Sequence, residues 1–264
     1  MNFGLQGKTA VISGSTAGIG FAIAATLAAE GANVVINGRT DARVDAALDK
    51  IRNADSNANV VGIAADLGTA EGAEFFLKRV PHADVLVNNL GIFEPKAFLD
   101  IPDADWMKFF EVNVLSGVRL TRGYLPGMLE RKWGRVIFIS SESAQQIPVE
   151  MIHYGMTKTA QVAVSRGVAE SVAGTGVTVN SVLVGPTASE GVGTFVADMA
   201  RHRKTTREAI EQEFFSSVRP TSLLKRFQTP EEIGAVVAFI ASTHGVAMNG
   251  TAVRAEGGVV RSVF

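Results

Sequence analysis

Tyr154 and Lys158 stand four residues apart in "HYGMTK", residues 153–158 of a 264-residue chain. On a helix, positions i and i+4 share a face, so a phenol and an ammonium there can converge on one point. Such a pair is either a snorkelling surface contact or a means of making a phenol acidic. A free tyrosine titrates near 10, and proton exchange near neutrality calls for a downward shift of about three units, roughly 4 kcal/mol. A cation ~4 Å away at an effective dielectric near 20 supplies about that much. The spacing makes Tyr154 a candidate general acid/base and Lys158 the group that tunes it. His153, turned about 100° from Tyr154 around the helix, reads as packing.

A second cluster suits phosphate. "SGSTAGIG" places Gly14, Gly18 and Gly20 between an apolar run and a helical pattern. Glycines there permit a tight turn and close approach of the backbone to a pyrophosphate at a helix N-terminus. The spacing is G-x-x-x-G-x-G, and a purely structural turn is the bland alternative. Further on, "VVINGRT" carries no carboxylate where a ribose 2′-OH would want one, and offers Gly38 and Arg39 instead. A guanidinium suits a 2′-phosphate, which predicts NADP, with NADPH preferred over NADH. The competing reading has Arg39 solvated and Asp41 reaching the ribose.

These residues need a frame. Strand-length apolar runs at Thr9–Ser13, Asn33–Asn37, Val60–Ala64, Val85–Asn88, Arg135–Ser140, Val177–Leu183 and Thr251–Ala255 alternate with helical patterns such as Ile19–Glu30 and Asp41–Arg52, the latter capped at Thr40. Alternation of this kind implies parallel strands joined by crossover helices. The chain is predicted to be one α/β domain over 1–264, a Rossmann-type doubly wound sheet of about seven parallel strands with helices on both faces. Residues 187–228 interrupt the rhythm as an inserted segment, read as a substrate-binding lid. Its apolar stripe (Phe195, Val196, Met199) and basic cluster (Arg201, Arg203, Lys204, Arg207) suit either a lid drawing in an anionic substrate or a solvated helix face.

Bulk properties narrow the partners. Hydrophobic residues make up 47% of the chain, yet no stretch approaches the ~18 uninterrupted apolar residues of a membrane helix. The formal net charge of −1 provides no field for nucleic acid or anionic lipid. No cysteine is present, which excludes disulfides and thiolate ligands, and the four histidines lack metal-ligand spacing, so no metal is expected. A cytoplasmic protein without an export leader, acting on a small molecule, is the expectation.

Taken together, the motifs resemble the short-chain dehydrogenase/reductase family along nearly the whole chain. "SGSTAGIG" is similar to its TGxxxGxG, with Ser13 for Thr; "NNLG" at Asn88–Gly91 resembles NNAG; "NV" at Asn113 falls at the family's active-site Asn. "ISS" sets Ser141 thirteen residues before Tyr154, and Tyr154-x-x-x-Lys158 completes the pattern. "VNSVLVGPTAS" resembles VNxVxPG with its downstream Thr, and "AEGG" resembles VDGG. The resemblance implies a catalytic set of Asn113, Ser141, Tyr154 and Lys158. It also implies cofactor binding by Gly14, Ser15, Thr16, Gly18, Ile19, Gly20, Arg39, Asp66, Leu67, Asn89, Gly91, Tyr154, Lys158, Pro186, Thr187 and Ser189. On it, Lys158 bonds the nicotinamide ribose, Ser141 holds the substrate oxygen, and Asn113 fixes a water in a relay through Lys158.

The implied activity is NADP(H)-dependent interconversion of a ketone or aldehyde with an alcohol. A 3-oxoacyl-thioester reductase and a non-catalytic NAD(P)-binding relative are the alternatives. The family's carrier-protein ketoreductases often carry Arg just before the sixth strand, where this chain has Thr175. A homo-oligomer, tetramer or dimer, packed through the helices bearing Asn113 and Tyr154, is also implied. Four departures bear on the site: Leu90 for a small residue, Val184 for Pro, Ser189 for Thr and Glu256 for Asp.

Overall fold

The computed structural model describes residues 2–263, with the side chains of Thr194 and Phe195 outside that description. The Phe195 part of the apolar stripe therefore lies outside the described residues. Seven strands form one parallel sheet: β1 (Thr9–Ile12), β2 (Asn33–Gly38), β3 (Val60–Ala64), β4 (Val85–Asn88), β5 (Gly134–Ser141), β6 (Val177–Val184) and β7 (Ala252–Ala255). Their order across the sheet is β3-β2-β1-β4-β5-β6-β7. The order reverses between β1 and β4, the topological switch point at which ligands bind in open α/β sheets.

Both faces are covered, which is why most strands carry apolar residues at successive positions instead of alternating them with polar ones. Ala10, Ile12, Val34, Ile36, Val85, Val87, Ile137, Ile139, Val182 and Val184 pack with residues of α1 (Gly18–Ala29), α2 (Asp41–Ala54) and α9 (Pro230–Ala241). The intervening residues Val11, Val35, Leu86, Val136, Phe138, Val177 and Val179 pack on the other side with α3 (Ala70–Arg79), α5 (Ser116–Glu130) and α6 (Ile152–Ser171). Period-two alternation thus serves two cores at once. The remaining helices are α4 (Asp103–Phe110), joined to α5 by a π-helical turn at Glu111–Leu115, and α7 (Glu190–His202) and α8 (Arg207–Glu213) in the inserted segment. Among the described residues no helix is long and apolar enough to cross a membrane.

Element ends differ from expectation by a residue or two. Ser13 lies just beyond β1, its N–H still donating to Val87 O at 3.1 Å and its hydroxyl accepting from the main-chain N–H groups of Asn89 and Leu90 at 3.0 Å each. β5 runs on through Ser141, since the ladder with β6 extends to the Ser141–Val184 pair. Thr40 does precede α2, but its hydroxyl makes no capping bond. Helix α9 has the better start: the Thr229 hydroxyl accepts from Glu232 N, and the Glu232 carboxylate accepts from Thr229 N.

Candidate active site

Parallel pairing sends the C-terminal ends of β1, β4, β5 and β6 to one edge of the sheet, and nearly all the candidate residues sit there. Ile12 pairs with Val87, Asn88 with Phe138, and Ser141 with Val184. The turn after β1, "NNLG" after β4, Ser141 closing β5 and Pro186 after β6 are neighbours for that reason.

The turn from β1 into α1 is shaped for close backbone approach. Gly14 and Gly18 adopt left-handed φ of 61° and 57°. A Cβ on Gly20 would sit 2.4 Å from Asn89 Nδ2 and 2.5 Å from Gly14 O. Ala17 caps α1 without a side-chain bond, so the first-turn N–H groups have no side-chain partner at the cap. Asn37, at the end of β2, accepts from Gly14 N at 3.1 Å and donates to Ala65 O at 3.0 Å. Asn89 Nδ2 donates to Ser13 O and Gly14 O at 3.0 and 2.9 Å. Sequence reading overlooked Asn37; an amide ending a buried strand was the available signal. These features fit a dinucleotide pyrophosphate at the α1 N-terminus.

Not every predicted cofactor residue offers its side chain. Ser15 is fully buried, its hydroxyl donating to Ile12 O and accepting from Asn37 N, and its own N–H donates to Asn37 O at 2.8 Å, so neither group is open to a phosphate. Leu67 is likewise buried in the second core. Asp66 turns an oxygen back to Gly68 N at 3.0 Å. Thr16 packs beside Gly38, Ile19 is half-buried, and Arg39 is exposed at the end of β2. Thr187 bonds Gly185 O, while Pro186 and Ser189 are half-buried on the far side of the crevice, Ser189 close to Gly18.

Tyr154 and Lys158 lie in the first two turns of α6, and the bare Cα of Gly91 lets Lys158 Nζ and Asn113 Oδ1 draw together. Lys158 Nζ is 5.6 Å from the Tyr154 ring centroid. It donates to Ile139 O at 2.9 Å and to Gln161 Oε1 at 3.2 Å. The expected tuning is therefore corrected: in the protein alone the ammonium is spent on a main-chain carbonyl and an amide. Burial, together with the Glu142 carboxylate, holds the Tyr154 phenol well above the usual tyrosine range; hydrogen bonding with Ser141 and the Arg219 charge pull it back only partly. Burial pushes Lys158 down to about 8.

Linkage turns that depression into a measurable slope. Between about 8 and the ordinary 10.5, unfolded Lys158 holds a proton that the folded form has released. Stability must then rise with pH across that window, by up to about 1.4 kcal/mol per unit. Lys158→Met should flatten the slope in urea melts taken at pH 7.5 to 10 (about the window just named); an unaltered slope would refute the assignment.

Asn113 sits in the π-helical turn, a distortion common at functional sites. Its Oδ1 accepts from Ile92 N at 2.7 Å, and its Nδ2 donates to Ile92 O and Thr157 Oγ1, both at 3.0 Å. Asn113 O accepts from Gln161 Nε2 at 2.6 Å, so Gln161 bridges Lys158 and Asn113 through its own amide. The relay expected through a water has a side chain lying in it. Ser141 Oγ donates to Glu142 Oε2 at 2.5 Å, and Arg219 Nε reaches Glu142 Oε1 at 3.0 Å. Gln161, Glu142 and Arg219 were all missed. His153 is buried against Phe109, ring centroids 4.0 Å apart, and burial lowers its pKa.

The inserted segment answers much of its own charge. Arg201 pairs with Asp198, and Arg203 pairs with Glu213 at 2.7 Å, so two of the four basic residues are paired within the segment. Glu256 of "AEGG" accepts from Arg254 and from Val259 N and Val260 N, closing the C-terminal turn against Gly185.

Comparison with known proteins agrees with this geometry. A family model described as short chain dehydrogenase matches residues 8–200. The oxidoreductase YvaG of Bacillus subtilis is 50% identical over 264 residues, the whole of both chains. A D-beta-hydroxybutyrate dehydrogenase of Cupriavidus necator is 34% identical over 97% of this chain and 99% of its own. The structure of an L-sorbose reductase from Gluconobacter frateurii, complexed with NADPH and L-sorbose, superposes with a TM-score of 0.94 over the full length of both chains at 29% identity. The chain belongs to the short-chain dehydrogenase/reductase family, oxidoreductases acting on CH–OH groups.

Proposed function

We propose that the protein interconverts a carbonyl and an alcohol with NADP(H), Tyr154 serving as the general acid/base. The observation that carries this reading is the convergence of Asn113, Ser141, Tyr154 and Lys158 from a π turn, a strand end and one helix onto a single crevice edge. Hydride chemistry would be supplied by a bound nicotinamide cofactor. The glycine turn with Asn89 would hold the pyrophosphate and Arg39 a 2′-phosphate, with Thr16, Ile19, Gly91, Pro186, Thr187 and Ser189 lining the crevice between. Lys158, anchored to Ile139 O, orients the ribose end, and Tyr154 exchanges a proton with the reacting oxygen beside Ser141.

The NADPH of the sorbose reductase complex and the NADP of a 3-oxoacyl reductase structure from Agrobacterium tumefaciens, TM-score 0.87 at 28% identity, support the cofactor choice. Arg39→Ala should weaken NADPH about tenfold relative to NADH, the worth of one charge-assisted contact of about 1.4 kcal/mol. Fluorescence titration of both nicotinamides reads the ratio, and an unchanged ratio sinks the assignment of Arg39.

Residues 187–228 are proposed as a lid over the pocket, whose wall includes Phe93, edge-on to Tyr154, and the exposed Ile147 and Val149. A homo-oligomer is proposed through α5 and α6, where an apolar groove is lined by Val118, Leu125, Pro126, Leu129, Val164 and Val168. Assay of NADPH consumption with L-sorbose, acetoacetate and an acetoacetyl thioester tests the substrate class. Turnover of none of these, nor of other ketones and aldehydes, would overturn the enzymatic proposal.

A further inference from the structure

A buried carboxylate lies directly against Ser141. Glu142 Oε2 receives the Ser141 hydroxyl at 2.5 Å, Ser143 N at 3.0 Å and Ser143 Oγ at 3.3 Å. Glu142 Oε1 receives Arg219 Nε at 3.0 Å. Arg219, from the end of the inserted segment, also gives Nη1 to Glu150 Oε1 at 3.3 Å and to Val218 O at 3.0 Å. Glu142 and Arg219 are only 5% and 9% exposed. Stability is a poor explanation for so dry a pair, since matched apolar residues generally do as well. Its place beside Ser141 suggests another.

A carboxylate paired with a guanidinium is ionised and can only accept hydrogen bonds. The one hydrogen between Ser141 Oγ and Glu142 Oε2 must therefore be the serine's own. A hydroxyl has a single hydrogen, so given to Glu142 it is withheld from the phenol and from any reacting oxygen. Ser141 Oγ already accepts from Ser143 N at 3.1 Å, which leaves one lone pair for the Tyr154 side.

We propose that Glu142, locked by Arg219, is a positioning residue that takes the Ser141 hydrogen, so that Ser141 meets the phenol and the reacting oxygen as an acceptor. The inference rests on the assignment of Tyr154 and Ser141 to the reacting oxygen. An alcohol O–H or a neutral phenol O–H then finds its acceptor ready, and a carbonyl oxygen is left to Tyr154 alone as donor. Because Arg219 belongs to the inserted segment, seating of that segment and orientation of Ser141 are one event. The charged groups facing this cluster are Arg219 and Glu150, with Lys158 Nζ on α6 turned to Ile139 O.

The chain has two tyrosines, which allows a test that does not depend on turnover. Tyr124 is remote from the site, donating to Val80 O, and Tyr124→Phe leaves Tyr154 as the sole phenol. In that full-length background, tyrosinate absorbance reads the Tyr154 titration directly. Glu142→Gln should lower its midpoint by about one unit or more, since the charge is gone and the amide can return the serine hydrogen to the phenolate. Adding Ser141→Ala should remove more than half of that downward shift, because the serine transmits it. An unmoved midpoint, or a shift of full size without the serine, overturns the proposal. If Glu142→Gln does not fold, Glu142→Gln/Arg219→Gln leaves the net charge unchanged, and its midpoint should still fall, by a smaller amount that comes from the returned serine hydrogen; an unmoved midpoint there overturns the proposal as well. Tyr154→Phe assayed with NADPH separates the two levels. Undiminished turnover there defeats the acid/base assignment itself, whereas a dead Tyr154→Phe with an unmoved Glu142→Gln midpoint defeats only the role of Glu142.

Discussion

Tyr154→Phe loses turnover by about 10²–10⁴-fold, the usual worth of a positioned proton donor, while the variant stays folded and binds NADPH nearly as before. The substitution removes one oxygen and keeps the ring, so the edge contact with Phe93 and the Lys158 ammonium over the ring face survive. Losing the hydroxyl also frees Ser141 from its phenol partner without exposing a buried charge, because Ser141 still serves Glu142. Steady-state assay beside nicotinamide fluorescence separates the effects. Weak binding together with weak turnover would point to a structural role instead.

Gly20→Ala is expected to raise the NADPH dissociation constant about a hundredfold, equivalent to about 2.8 kcal/mol and within the usual cost of overpacking. The new methyl would stand 2.4 Å from Asn89 Nδ2 and 2.5 Å from Gly14 O, neither of which is the free end of a flexible chain, since Asn89 is itself bonded to Ser13 O and Gly14 O. Relief requires the turn to open, which spoils the backbone approach to the pyrophosphate. Calorimetric titration of NADPH would show it. Binding within twofold of wild type, an effect of about 0.4 kcal/mol, would mean that the turn has slack the contacts do not reveal.

Much of the frame was legible because it rests on local patterns. Strands covered on both faces carry apolar residues on both, and β1, β2, β4 and the middle of β5 do; the helix face shared by Tyr154 and Lys158 follows from 3.6-residue periodicity alone. What escaped depends on partners distant in sequence. Glu142 and Arg219 are seventy-seven positions apart, and nothing near either residue announces the other. The i, i+4 spacing correctly put Lys158 beside Tyr154 but was silent on its donors, which point to Ile139 O, nineteen residues back on the adjoining strand. The electrostatics of the phenol could not be read from Lys158 for the same reason. Burial and a neighbouring carboxylate outweigh a cation already engaged elsewhere. The π turn at Asn113 was invisible as well, since it continues a helical pattern with one residue of slack.

The most direct test of a phenol donating its proton at a nicotinamide site is the rate of a single turnover. With NADPH and a ketone that the wild-type protein reduces, both saturating, nicotinamide oxidation on rapid mixing should be about 10²–10⁴-fold slower in Tyr154→Phe. Equal single-turnover rates for the two proteins would contradict the account.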